Sequence, residues 1–527
     1  MVVAASHMGK IRVLPLLLAA IVVGVGLWAV SPYPVGVFHD DGVYVILGKS
    51  LATGQGYRFL HLPGAPAATH YPPAYPVLLA LLWKIAPQFP QNIQTFLFAN
   101  AVLLGLTAVG VDQFAHRVLR WPRLAACAAA GVATLSTPLI MLSSLVLSEP
   151  MFAALLFPAL LLAERAVDED APMSRIVIAP VALGALALVR THGLALSIAF
   201  VGVLAWRRQW RRASVAAAIV CVSLAPWQLW LAAHATDAGG PLAGSYGTYS
   251  AWLANGALTG GLTFVARTMM LNAREVLAIV ADHVSLADGA LVRTCMASAA
   301  ICAALVGAWR ASRRAPVLVA FAVVYTVVLL VWPFTPWRFV YAIWPIIILF
   351  IGETVVWLVS RASDALSRVP RAMLATALLA IAAGAVREEW RGYSQRSWRQ
   401  PGIHAAAEIA PLVRWVSAQT AIDDIVAVDG EQLVYLFTGR QTLPVAPFTA
   451  AEYVRPRTAT ENAESLRRLL REYPVKYVAT ISPGNRASGD IVSRDSTATP
   501  GLRGAIKLVS VAPLAAGEVF RVERAER

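Results

Sequence analysis

Phe38-His39-Asp40-Asp41-Gly42 lies just after the first apolar span of the chain. Two adjacent carboxylates stand there beside an imidazole, at the expected edge of a membrane. Ionisable groups are costly at that depth, so they mark a functional site by default. Capping the helix that follows would need only one carboxylate, since Asp is a favoured N-cap. The rest of the chain reads as a scaffold that holds this stretch against a lipid-borne substrate.

The scaffold is a polytopic α-helical membrane protein. Of 527 residues, 58% are hydrophobic and 14% charged, with a mean hydropathy of +0.62. A soluble domain is roughly 45–50% apolar and about 25% charged. The net charge of +14 is no nucleic-acid signal, because most Arg residues sit in short clusters between apolar spans, where they set orientation in the bilayer. Cys127, Cys221, Cys295 and Cys302 all lie inside apolar stretches and read as small packing residues. Residues 1–10 resemble a tag-derived start and are excluded from the fold.

Apolar spans are expected at 13–30, 94–116, 124–143, 150–166, 176–189, 194–206, 214–233, 291–309, 316–332, 340–359 and 372–386. That makes about 11 transmembrane helices across 11–386, at about 20 residues per crossing. The turns carrying Arg117, Arg120 and Arg123, then Arg165 and Arg175, Arg207 to Arg212, Arg310 to Arg314, and Arg361 to Arg371 all fall on one side. The expected topology is a multi-pass protein of the cytoplasmic (inner) membrane with its N-terminus in the cytoplasm. The first outer loop, 31–92, holds a helix at Val43–Thr53, which Asp40 or Asp41 opens and Gly54 follows. It also holds an apolar segment at Tyr75–Ile85, too short to span. The second, 234–290, is partly amphipathic helix with Arg267 and Arg274. Residues 387–527 read as an extracytoplasmic α/β domain with strands at Ile425–Asp429, Lys476–Ile481, Lys507–Val511 and Val519–Val522. A helix at Glu464–Glu472 gathers Leu466, Leu469 and Leu470 on one face. No glycine-rich phosphate loop is present.

This topology puts Asp40, Asp41, His70, Glu149, Arg190, His192 and Arg338 at the outer membrane edge. Each has a plainer role as a helix-end charge or an interfacial anchor. Together they pair proton acceptors with cations. A carboxylate can take a proton from an attacking hydroxyl, and cations can neutralise a departing phosphate. Such a set suits a substrate with a lipid tail and a phosphate at the bilayer surface.

The chain also resembles the GT-C membrane glycosyltransferases, in the branch of protein O-mannosyltransferases and lipid A aminoarabinose transferases. The matching residues are Asp40-Asp41-Gly42-Val43-Tyr44, Ala52-Thr53-Gly54-Gln55-Gly56-Tyr57 and His70-Tyr71-Pro72-Pro73-Ala74-Tyr75-Pro76. Ser148-Glu149-Pro150, Leu188-Val189-Arg190-Thr191-His192-Gly193, and Arg338-Phe339 with Trp344-Pro345 follow. The resemblance covers roughly the first 360 residues and rests on motif order. It implies a polyprenyl-phosphate sugar as donor, inversion at the anomeric carbon, and a lipid, glycan or protein hydroxyl as acceptor. It implies catalytic roles for Asp40, Asp41 and Glu149, and substrate binding by His70, Tyr71, Arg190, His192, Arg267 and Arg338. The paired Asp40-Asp41 leaves open which one acts, and Glu149 stands where some relatives have Asp. No spacing forces a cofactor, and a divalent metal ion on Asp40, Asp41, Glu149 or His70 is one option. Two other classes share the topology. A transporter of lipid-linked substrates should show repeated halves and charges near the midplane. A non-catalytic cell-envelope assembly protein would have no need of an acidic pair with an Arg set.

Overall fold

A computed structural model describes residues 2–360, 368–446, 448–498, 506–514 and 517–524, without the side chains of 2–12 and 495–498. The tag reading and the expected cytoplasmic Arg361 therefore fall largely outside the described residues. The chain divides into two compact units. One comprises Met1–Ser31, Leu97–Gln228 and Ala266–Trp398; the other Pro32–Phe96, Leu229–Val265 and Arg399–Arg527.

The regular structure described in the first unit is helical. Helices occupy the expected spans, and 340–359 takes in the end of Trp337–Ala342 and the whole of Trp344–Val359. Among the described residues four helices are long and apolar enough to cross a membrane alone: Ile93–Arg117, Trp210–Ala233, Ala290–Ala311 and Arg368–Gln395. The pair Arg123–Thr134 and Thr137–Ser143, bent by 60°, makes a fifth if it is one span. The chain is thus a multi-pass membrane protein. The bend has a local cause. Pro138 sits in the first turn of the second helix, where its missing N–H costs nothing, whereas an unbroken helix would drive its ring into the Thr134 carbonyl. The last span runs on past residue 387, where the composition turns polar, to Gln395. Its far end is held by Glu389, which accepts the Thr137 N–H at 2.8 Å and hydroxyl at 2.6 Å.

Ala290–Ala311 and Trp344–Val359 approach closely. A Cβ at Gly307 would collide with the Phe350 carbonyl oxygen, and Thr354 Oγ1 donates to the Ala303 carbonyl at 2.7 Å. Buried Asn272 donates to the carbonyls of Leu329 and Trp332 at 2.9 and 2.7 Å. These lie at the end of helix Pro316–Val331, where carbonyls lack intrahelical partners.

The second unit is built on a mixed sheet. Strands β1 (Val426–Val428), β2 (Thr442–Pro444), β3 (Tyr477–Thr480), β4 (Ile506–Pro513) and β5 (Glu518–Arg524) take the order β2-β1-β3-β5-β4. The first three are parallel and the β4–β5 hairpin is antiparallel. Helix Glu431–Thr438 links β1 to β2, and helix Ala459–Glu472 lies between β2 and β3. Leu466, Leu469 and Leu470 are buried as their spacing predicts. The sheet's edge strand β2 escapes sequence reading because it is three residues long and ends in Pro444, a residue confined to sheet edges. The core joins Leu412 and Val416 to Val426, Val428, Leu433 and Val519.

The first outer loop belongs to this unit. Helices Asp40–Ala52 and Ala74–Ile85 lie one on the other, and a Cβ at Gly48 would come 2.9 Å from Leu79 Cβ. Gly36 is left-handed (φ 102°), and a Cβ there would fall 2.7 Å from Leu433 Cα. A Cβ at Gly42 would fall 2.7 Å from Gln432 Cβ. Only glycine admits the loop this near to helix Glu431–Thr438.

Candidate active site

The expected site residues fall in two groups, one in each unit. The first begins with a strained turn. His39 has φ 62° and ψ −69°, and the Asp40 N–H bonds to the Phe38 carbonyl at 2.7 Å. This is a three-residue turn with positive φ, a conformation that costs about 1–3 kcal/mol and survives only where the surroundings impose it. Two contacts impose it. Gln432 Nε2 lies 2.9 Å from His39 Nδ1. Asp41, 2% exposed, accepts the N–H groups of Gly36 at 2.8 Å and Phe38 at 3.0 Å. Asp41 therefore fastens the turn before the helix rather than capping the helix itself, because the helix already starts at Asp40. Burial, partly offset by these backbone donors, raises its carboxyl to about 6.

Asp40 has a different environment. It is half-buried, and its Oδ1 accepts the Tyr71 hydroxyl at 2.7 Å. Burial, then the Asp40 charge, holds the Tyr71 phenol well above 10, so Tyr71 remains a donor. His70 Nδ1 lies 2.7 Å from the Gly247 carbonyl, an acceptor only, so that nitrogen carries the proton. Burial lowers His70 to about 4, which keeps its imidazole neutral, with its ring 3.9 Å from that of Tyr249.

A buried polar network backs this group. Tyr246 donates to Glu431 Oε1 at 2.7 Å and accepts from Gln432 Nε2 at 2.7 Å. His61 Nε2 meets the same hydroxyl at 2.9 Å. All four side chains are buried, and burial lowers His61 to about 3. Sequence reading overlooks Tyr246, Glu431, Gln432 and His61. A strand followed by Gly430 and a carboxylate is the only local hint at Glu431.

The second group centres on Glu149, 1% exposed, at the first residue of helix Glu149–Ala166. Its Oε1 accepts the Arg338 Nε–H at 2.8 Å and pairs by charge with Arg338 Nη2 at 2.7 Å and Arg190 Nη1 at 2.9 Å, while Arg338 Nη2 is itself buried without a hydrogen bond. Arg190 Nη1 also donates to Ser148 Oγ at 2.9 Å and lies over the Phe339 ring. Glu149 Oε2 is buried without a hydrogen bond. Two guanidiniums on one carboxylate leave these three groups with a net charge of +1 in a buried place, a natural seat for an anion. His192 stands beside them among Phe339, Trp332 and Tyr325. Burial lowers it to about 3, so it is a neutral ring, not the cation that its place in the Arg set suggests.

Arg267 is exposed on helix Tyr249–Val284 and forms no ion pair among the described residues. No three His, Cys, Asp or Glu residues come together as a metal-binding group among the described residues. Both Asp41 oxygens already serve backbone donors.

No protein-family profile and no curated protein matches the chain. Solved structures do. ArnT from Cupriavidus metallidurans bound to undecaprenyl phosphate matches with a TM-score of 0.57 at 13% identity, over 96% of this chain and 97% of that one. Its apo state matches with a TM-score of 0.52 at 13% identity, over 98% of each chain. The oligosaccharyltransferase AglB from Archaeoglobus fulgidus, in complex with an inhibitory peptide and a dolichol-phosphate, gives 0.51 at 14% identity, over 90% of this chain and 70% of that one.

Proposed function

We propose that this chain, which has the fold of the GT-C glycosyltransferases, is an inverting glycosyltransferase that uses a polyprenyl-phosphate sugar. The acceptor is a hydroxyl on a lipid, glycan or protein at the outer face of the cytoplasmic membrane. The observation that carries this reading is the pair of guanidiniums on the single buried carboxylate of Glu149. A leaving phosphate gains negative charge as its bond to the sugar breaks. It needs fixed cations, and preorganised ones act without reorganising as the charge develops. Arg190 and Arg338, held by Glu149, suit that role, since guanidinium binds phosphate through parallel hydrogen bonds. Glu149 then orients cations rather than moving a proton.

The acceptor oxygen attacks the anomeric carbon. The bond from that carbon to the phosphate oxygen breaks, polyprenyl phosphate departs, and the hydroxyl proton passes to Asp40. Asp40 is only half-buried and bonds a side-chain hydroxyl, which favours it over the buried Asp41, whose oxygens are engaged by backbone. The N-terminus on the cytoplasmic side, and the 387–527 segment outside, complete this reading. The similarity of the fold to proteins solved with undecaprenyl phosphate and with a dolichol-phosphate supports the donor class.

The test is turnover in membranes that supply the acceptor, with a synthetic polyprenyl-phosphate sugar as donor. Asp40→Asn should lower kcat by about 10²–10⁴ with donor KM little changed, the usual range for loss of a general base. Near-wild-type turnover in both Asp40→Asn and Asp41→Asn overturns the assignment.

A further inference from the structure

The helical unit holds a second guanidinium cluster. Arg310 lies in the last turn of helix Ala290–Ala311, and Arg313 and Arg314 follow it. With Trp309 and Glu353 they line a cavity of about 120 Å³. Helix Trp344–Val359 starts two residues after the short helix that carries Arg338. Trp357 is 13 residues further along it, about 20 Å at the helical rise. The cavity is thus at the opposite end of that helix from the Glu149 group.

Its charges are unbalanced. Glu353, 3% exposed, is engaged already. Its Oε2 accepts the Trp121 indole N–H at 2.5 Å, and its Oε1 faces Arg314 at 3.6 Å. Arg310 and Arg313 have no ion pair among the described residues. Each guanidinium instead lies over an indole, Arg310 over Trp357 at 4.6 Å and Arg313 over Trp309 at 5.9 Å. Stacking occupies the face of the guanidinium and leaves its in-plane N–H edge for another acceptor. The Arg310 Nε atom is buried with no hydrogen bond.

We propose that this cavity binds the phosphodiester headgroup of an anionic membrane lipid. Two non-bridging oxygens match the fork of a guanidinium. The surroundings favour a lipid over a free phosphate. Leu305, Val355 and Val359 are exposed apolar residues on the same two helices, within reach of acyl chains. Trp309 is 64% exposed at a helix end, the position of an interfacial aromatic. Basic pockets between membrane helices are headgroup sites on this physics.

The experiment is native mass spectrometry of the full chain from detergent carrying equal phosphatidylglycerol and phosphatidylcholine. The wild type should retain phosphatidylglycerol in preference. Arg310→Ala with Arg313→Ala should lower that retention about tenfold, the scale of one charge-assisted bidentate pair. Arg310 is partly buried, so Arg313→Glu, at an exposed position, is the second variant and should lower retention similarly with an unchanged thermal transition. Equal retention by the wild type and both variants overturns the proposal. Full displacement by millimolar inorganic phosphate also overturns it, and makes the cavity a site for a soluble anion.

Discussion

Asp41→Asn separates a buried clamp from a proton-transfer group. In the folded chain, burial lifts the Asp41 carboxyl from 3.8 to about 6, against the pull of the Gly36, Gly42 and Phe38 backbone groups. A carboxyl raised in this way ionises first in the unfolded chain. Its contribution to stability is therefore fully present below about pH 4 and is lost as the pH rises through about 6. The rise corresponds to about 3 kcal/mol. Asn cannot ionise and, like the protonated carboxyl, offers one carbonyl oxygen to the two N–H groups of Gly36 and Phe38. The variant should thus stand nearest to wild type at about pH 4 and gain about 3 kcal/mol on it by about pH 7.5. In a body of 150–250 residues that is about 6–12 °C in the unfolding midpoint. Near-ultraviolet circular dichroism of the full chain in detergent, heated in parallel at each pH, reads it out. A wild-type-to-variant difference that stays flat across this range, or moves toward Asp, refutes the reasoning.

Three further outcomes are expected. Arg338→Ala should weaken donor binding, measured as donor KM, and Arg338→Lys should restore it only in part, because an ammonium cannot keep the Nε–H bond to Glu149 and offer a planar edge to phosphate as well. Tyr246→Phe leaves the buried Glu431 without its hydroxyl donor and should cost about 1.5–3 kcal/mol, the usual worth of a hydrogen bond to a charged group, read by thermal unfolding. Cysteines placed at Gln55 and Ser482 should both react with an impermeant label added to intact cells; reaction of only one would break the proposed topology.

Much of the scaffold is legible because apolar runs are local signals. So are the start of helix Asp40–Ala52 and the buried face Leu466, Leu469 and Leu470. The Glu149 group is half legible. The types of Glu149, Arg190 and Arg338 can be read, but not that both cations lie against one oxygen. His192 misleads because its charge is decided by the rings around it, which come from residues more than 130 positions away. What surrounds Asp40 is least legible. The strained backbone at His39 and the network of Tyr246, Glu431, Gln432 and His61 arise from pairings between distant segments. No periodicity announces them.

The glycine contacts at Gly36 and Gly42 set a clock. Their partners, Leu433 and Gln432, are about 390 residues later in the chain. At about 5–20 residues per second, a ribosome needs about 20–80 s to travel between them. For that interval the Asp40 turn has its local clamp at Asp41 but lacks Gln432, the second contact that imposes its geometry. A nascent chain therefore carries all its motif residues before the turn can close, and a product truncated ahead of Gly430 keeps every one of them yet never acquires the shape.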